Sequence, residues 1–201
     1  MKILIVSENA TDEFGGEAIL PLHYFRFLRL RGEDVYLLTH SRVKPRLEEI
    51  ISEDLTRVIF IPETFLHKWL HRLGKKLPPR IDGVTTHQFL HFVTQCFQWR
   101  LARKAVKELS IDVVHEPAPV SPKKPSSLFC LGAPVIIGPM NGGMEFPPGF
   151  AYMANKFEKL IYSPLRFVSH FVNILLPGKL LADVLLVAND RTKQALPKFT
   201  R

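Results

Sequence analysis

"KILIVSENATDEFGGEA", residues 2–18, decides how the rest of the chain is read. A continuous apolar run leads through a polar loop to Gly15–Gly16, where a helical pattern starts. A run without polar alternation suits a strand covered on both faces, as in a parallel sheet between helices. Working outward, five more runs of this kind follow: "DVYLLT" (34–39), "RVIFIP" (57–62), "DVVHE" (112–116), "PVIIGP" (134–139) and "DVLLVA" (183–188).

Helical patterns separate several of these runs. Residues 17–31 carry Ile19, Leu22, Phe25 and Leu28 on one apolar face, and Gly32 ends the pattern. Proline is tolerated in a first turn, so Pro21 predicts a helix beginning near Ile19. Residues 85–109 form a long helix with Phe89, Phe92, Val93, Phe97 and Leu101 at helical spacing. Residues 121–131 and 151–176 supply two more, the second broken near Pro164. Strand and helix alternating over six strands predict an α/β fold. It is a doubly wound, mostly parallel six-stranded sheet with helices on both faces, in the order 3-2-1-4-5-6. Ligands of such sheets bind at the carboxyl ends of the strands, near the switch between the first and fourth.

The bulk numbers agree with a folded chain. At 201 residues it suits one domain with a sizeable core, or half of a larger enzyme. With 46% hydrophobic and 23% charged residues, disorder is excluded as a general description. A net charge of +8 favours anionic partners such as nucleotide phosphates or an acidic membrane surface. Nucleic acid is disfavoured, because no aromatic stacking platform or recognition motif accompanies the charge. Cys96 and Cys130 lack metal spacing and read as reduced, buried thiols of a cytosolic protein. No secretory signal is legible, and the most apolar late stretch, 160–176, is interrupted by Pro164, Arg166, His170 and Asn173. The expectation is a cytoplasmic chain, peripheral at most on the inner face of a membrane.

Three places carry candidate chemistry. Gly15 and Gly16 stand between a strand and a helix start, where N–H groups and the helix dipole make an anion site suited to a diphosphate. The competing reading is a tight turn that needs glycine only for its φ. No G-x-G-x-x-G is present, and Thr39, His40, Ser41 and Arg42 follow the second strand in place of an acidic ribose anchor. That argues against a dinucleotide oxidoreductase, although Arg42 suits a 2′-phosphate. His115 ends the fourth strand, where an imidazole can reach a reacting hydroxyl with Glu116 orienting it; a backbone-satisfied histidine is the alternative. The loop over 138–149, "GPMNGGMEFPPG", combines Asn141, Gly142, Gly143 and Glu145. Consecutive N–H groups there can form an anion nest, and Asn141 and Glu145 can bind hydroxyls.

Two further patterns weigh less. His67/His71 and His87/His91 are four apart, but no third ligand accompanies either pair, so solvated or partly buried histidines are expected and no metal. "FLHKWLHRLGKKLPPR", residues 65–80, holds five Lys/Arg and no acid, with Leu66, Trp69, Leu70 and Leu73 at helical spacing. Such a helix can lie on anionic lipid; the alternative turns its Trp and Leu into the core.

Taken in order, "KILIVSE", "FGGEA", "DVVHEPAP", "PVIIGPMNGG" and "DVLLVANDRTKQAL" resemble the amino-terminal half of a GT-B glycosyltransferase of the large retaining family 4. The resemblance covers residues 1 to about 196. It implies a single Rossmann-like, acceptor-side domain over 1–201. Its enzyme would move a sugar from a nucleotide-diphosphate donor to a hydroxyl acceptor, saccharide or lipid, with retention and without a cofactor or metal. It implies donor-diphosphate contacts for Gly15 and Gly16, a place near the transferred sugar for His115, and cleft contacts for Glu17, Glu116, Asn141, Gly142, Gly143 and Glu145. The nucleotide pocket and the E-x7-E motif of that family belong to a carboxy-terminal domain that 201 residues do not hold. The chain is therefore expected to be an excised half, inactive alone. A non-catalytic nucleotide- or ligand-binding module of the same fold is the alternative.

Overall fold

A computed structural model describes residues 1–75, 86–142, 172–197 and 199–200. Its strands are β1 (Lys2–Val6), β2 (Asp34–His40), β3 (Val58–Ile61), β4 (Val113–Glu116), β5 (Val135–Met140) and β6 (Val184–Val187). They form one sheet in the order β3-β2-β1-β4-β5-β6, and every pairing is parallel. This is the α/β architecture that the apolar runs predict.

Strand periodicity explains the two-faced core. Along β1, Ile3 and Ile5 face one side while Leu4 and Val6 face the other. The first pair joins Leu22 and Phe25 of helix α1 (Gly16–Leu30) and Leu47 of helix α2 (Lys44–Ile50). The second pair joins Ala102, Ala105 and Val106 of the long helix α4 (Thr86–Leu109). Each fully buried Leu, Ile or Phe contributes roughly 1.5–3 kcal/mol, against about 0–1 kcal/mol for an exposed ion pair. Burial on both faces therefore dominates the stability.

Helix α3 (Phe65–Gly74) packs on α4, and two short helices, α5 (Gly178–Leu181) and α6 (Asp190–Gln194), flank β6. Asn189 caps α6, its side-chain oxygen accepting from the Thr192 amide at 2.9 Å.

Four expectations need correction. Helix α1 begins at Gly16, so Pro21 sits well inside it. Proline has no N–H to give the Glu17 carbonyl, and burial of the proline ring on the core face offsets that loss. Residues 121–131 are not a helix but turns and extended chain, tied to α4 where the Ser127 amide donates to Gln95 Oε1 at 2.8 Å. Cys96 and Cys130 are exposed, not buried. Helix α4 buries Thr94, Gln95 and Gln98 and leaves Phe89 and Phe92 exposed, with Thr94 turned to His67 and Gln95 to Ser127. Of the helix expected over 151–176, residues 151–171 lie outside the described residues; 172–175 are helical.

Candidate functional site

The loop leaving β1 is held from both sides. The Glu8 carbonyl accepts from the His40 amide at 3.1 Å and from Thr39 Oγ1 at 3.3 Å. Ser7 Oγ donates to the Asn9 carbonyl at 2.8 Å, and Arg46 grips both oxygens of Asp12 at 2.9 and 2.7 Å. The loop ends at Gly15, which caps α1 with φ 86°, a conformation that favours glycine. Among the described residues no side chain caps this helix end. Among the described residues a Cβ at Gly15 or Gly16 would meet nothing within 4 Å, so the main chain there is open to approach.

Three loops meet at this edge. Glu17 Oε1 accepts from the Val120 amide at 2.9 Å, joining the start of α1 to the loop after β4. The Val120 carbonyl in turn accepts from the Asn141 amide at 2.8 Å, joining that loop to the one after β5. Gly15, Gly16, Glu17, Asn141 and Gly142 therefore belong to one connected rim. Gly143 and Glu145 lie outside the described residues.

His115 and Glu116 sit below the rim, on opposite faces of β4. His115 is 8% exposed, its Nε2 donates to the Gly138 carbonyl at 2.7 Å, and Tyr24 of α1 meets its ring edge-on at 4.7 Å. A carbonyl only accepts, so Nε2 carries the proton and Nδ1 is the ring's acceptor when neutral. Burial holds this imidazole below its ordinary pKa, against a smaller upward pull from the Gly138 hydrogen bond. The expectation that Glu116 orients His115 is thus corrected: the Gly138 carbonyl does so.

Glu116 faces the other way, 1% exposed. Neither of its carboxyl oxygens has a hydrogen-bond partner of good geometry among the described residues. Burial pushes its pKa up; the Ser126 hydroxyl and the positive charge of Lys179 oppose that shift without cancelling it. Lys179 is also 1% exposed and donates to the Ser121 carbonyl at 2.7 Å. Burial pushes its pKa down, and Glu116 pulls it back up.

A cavity of about 150 Å³ opens beside the rim, at the switch between β1 and β4. The loop after β1 contributes Glu8, Asn9 and Phe14, α1 contributes Glu17, and α4 contributes His91, Gln95 and Gln98. Ala118, Pro119 and Lys124 line it from the loop after β4. Glu8 anchors the wall: His91 Nδ1 lies 2.6 Å from Oε2 and Arg42 Nη2 lies 3.1 Å from Oε1. Burial alone would raise the Glu8 carboxyl, but the hydrogen bond from His91 and the charge of Arg42 outweigh it and hold the pKa low.

Sequence reasoning missed Glu8, Gln98 and Lys124. The available signal was the spacing of His91, Gln95 and Gln98, which share one stripe of α4. Arg42, read as suited to a 2′-phosphate, is engaged by Glu8. His67 is buried between Thr64 and Thr94, with ring nitrogens at 2.7 and 3.2 Å from their hydroxyls. The side chains of His71 and His87 lie outside the described residues. Among the described residues no group of His, Cys, Asp and Glu is arranged to hold a metal, and no helix is long and apolar enough to cross a membrane.

Comparison of the chain with protein-family models, with curated proteins and with solved structures returns no match.

Proposed function

We propose that this chain is the amino-terminal, acceptor-side half of a retaining GT-B glycosyltransferase. The enzyme would move a sugar from a nucleotide-diphosphate donor to a hydroxyl, with the nucleotide pocket in a carboxy-terminal domain. The observation that carries this reading is the rim itself. The bridge from Glu17 through Val120 to Asn141 brings three loops together beside an open Gly15–Gly16 backbone. Negative charge grows on the departing diphosphate during transfer. Main-chain N–H groups and the positive end of α1 are suited to stabilise it without reorganising. Neutral His115 would offer its Nδ1 to a sugar hydroxyl. Closure of a second domain over the rim would exclude water and limit hydrolysis.

The test is an amide NMR titration of the chain with UDP-glucose, GDP-mannose and pyrophosphate, alongside a transfer assay. Expected are weak, millimolar shifts at Gly15 and Gly16 and no transfer. Absence of shifts at those glycines removes the diphosphate role. Micromolar binding of a nucleotide sugar by this chain alone favours the non-catalytic nucleotide-binding module instead.

An anionic membrane surface is part of the proposal, and helix α3 supports it. The helix turns His67 and Leu70 inward and leaves Phe65 80% and Trp69 50% exposed, with Leu66 and Leu73 also outside. Lys68 and Arg72 lie on the adjacent arc, so an outward apolar strip borders a basic one. Sedimentation with phosphatidylcholine vesicles, with and without phosphatidylglycerol, tests it. Each basic residue near such a surface is worth about 1 kcal/mol, so K68E/R72E should weaken binding at least ~30-fold. Equal pelleting with both vesicle types removes the membrane role.

A further inference from the structure

Three polar atoms around the cavity are buried without a partner among the described residues: Asn9 Oδ1, His91 Nε2 and Gln98 Oε1. They come from two different segments, the loop after β1 and helix α4, and all three residues line the cavity. Gln98 is itself 1% exposed. Leaving one such group unsatisfied costs roughly 1–3 kcal/mol, so three at one place call for a common explanation.

Their chemistry is uniform. The Glu8 carboxylate accepts a hydrogen bond from Nδ1–H of His91, and in that neutral tautomer Nε2 is an acceptor with a bare lone pair. The two amide oxygens also only accept. A matching ligand must therefore bring several donors. An anion fails this condition and meets the carboxylates of Glu8 and Glu17 besides. A cation meets Lys124 on the same wall, and Glu8 is already paired with Arg42. A neutral, hydroxyl-rich molecule meets every condition. The volume matches about five waters at liquid density, which is the scale of one polyol ring. Phe14, more than half exposed on the lining, adds an aromatic surface for the C–H face of such a ring.

We infer that the cavity between the loop after β1 and α4 is a binding site for a single cyclic polyol, held by Asn9, His91 and Gln98 against Phe14. Binding stands on the cavity alone. Only the role of the polyol as the sugar acceptor rests on the glycosyltransferase reading above.

The test uses the whole chain and separate titrations with myo-inositol, glucose, ethanolamine and inorganic phosphate, read by amide and imidazole NMR. Expected is millimolar binding of a cyclic polyol, with shifts at the Gln98 side-chain amide and the His91 ring. Gln98→Leu should weaken it at least tenfold while leaving the thermal midpoint unchanged or higher, since an unpaired oxygen is removed. Phe14→Ala, at an exposed position, should weaken it several-fold at unchanged stability, and serves if the Gln98 variant does not fold. Response to ethanolamine or phosphate but to neither polyol overturns the inference. So does no response at all, the result if ordered water alone satisfies the three atoms. Loss of polyol binding with the Gly15 and Gly16 diphosphate shifts intact sinks this site and leaves the transferase reading standing. Polyol binding without those shifts does the reverse.

Discussion

Gly138 offers the sharpest test of how the rim is built. It sits in β5 with φ 118°, and its carbonyl accepts the hydrogen bond from His115 Nε2. A Cβ placed there would lie 2.3 Å from the Leu186 carbonyl oxygen and 3.0 Å from Leu186 Cβ. The nearest atom is backbone of the neighbouring strand and cannot rotate away. Gly138→Ala therefore carries two costs. A non-glycine residue in a sparsely populated backbone region costs about 1–3 kcal/mol. Overpacking against a fixed neighbour adds about 1–3 kcal/mol. Gly142→Ala is the matched control: its φ is 99°, and nothing among the described residues lies within 4 Å of its Cβ. It pays the first cost alone. Urea unfolding of both variants should place Gly138→Ala about 2 kcal/mol below Gly142→Ala, a thermal difference of about 4–8 °C at this chain length. Hydrogen exchange should show the loss concentrated in β5 and β6. Equal stability of the two variants would refute the close approach of β5 to β6 and, with it, the support under His115.

Three more outcomes are expected. For Glu116 the folded pKa is raised from 4.5 to about 7, so the stability it contributes is present below 4.5 and lost as pH rises through 7. Glu116→Gln does not titrate, so its stability relative to the parent should rise by at most about 2–3 kcal/mol between pH 5 and 7; parallel urea midpoints across that window would contradict the burial. The His115 ring should titrate below 6.5 and show the Nε2-protonated tautomer in nitrogen NMR, because burial lowers it and Gly138 accepts from Nε2; a midpoint above 6.5 would contradict the burial. Native protein should react with Ellman's reagent at both Cys96 and Cys130, since both are exposed; protection of either until denaturant is added would contradict the packing of α4 and of the loop after β4.

Much of the architecture was legible before any coordinates. The apolar runs locate all six strands to within a residue or two, and the strand order is that of the doubly wound pattern that alternating strands and helices predict. Helix boundaries were less legible. Local rules place Pro21 in a first turn, but burial of α1 on β1 and β2 outweighs the missing hydrogen bond. The segment 121–131 looks helical by composition, yet its backbone is recruited by Gln95 and by Gly178, whose amide donates to the Ser126 carbonyl at 3.0 Å.

What the sequence determined by itself is the sheet and the position of the glycine-rich loops at its carboxyl edge, because strand periodicity and backbone-specialist residues are local signals. What only the tertiary structure decided is which side chains share the cavity. Glu8 and His91 are 83 residues apart, and Glu17 and Val120 are 103 apart. No local pattern encodes such pairs; the crossing of α4 over β1 creates the first, and the pairing of β4 beside β1 creates the second. Helix α3 likewise turns Trp69 outward and His67 inward, where the hydroxyls of Thr64 and Thr94 meet its ring nitrogens.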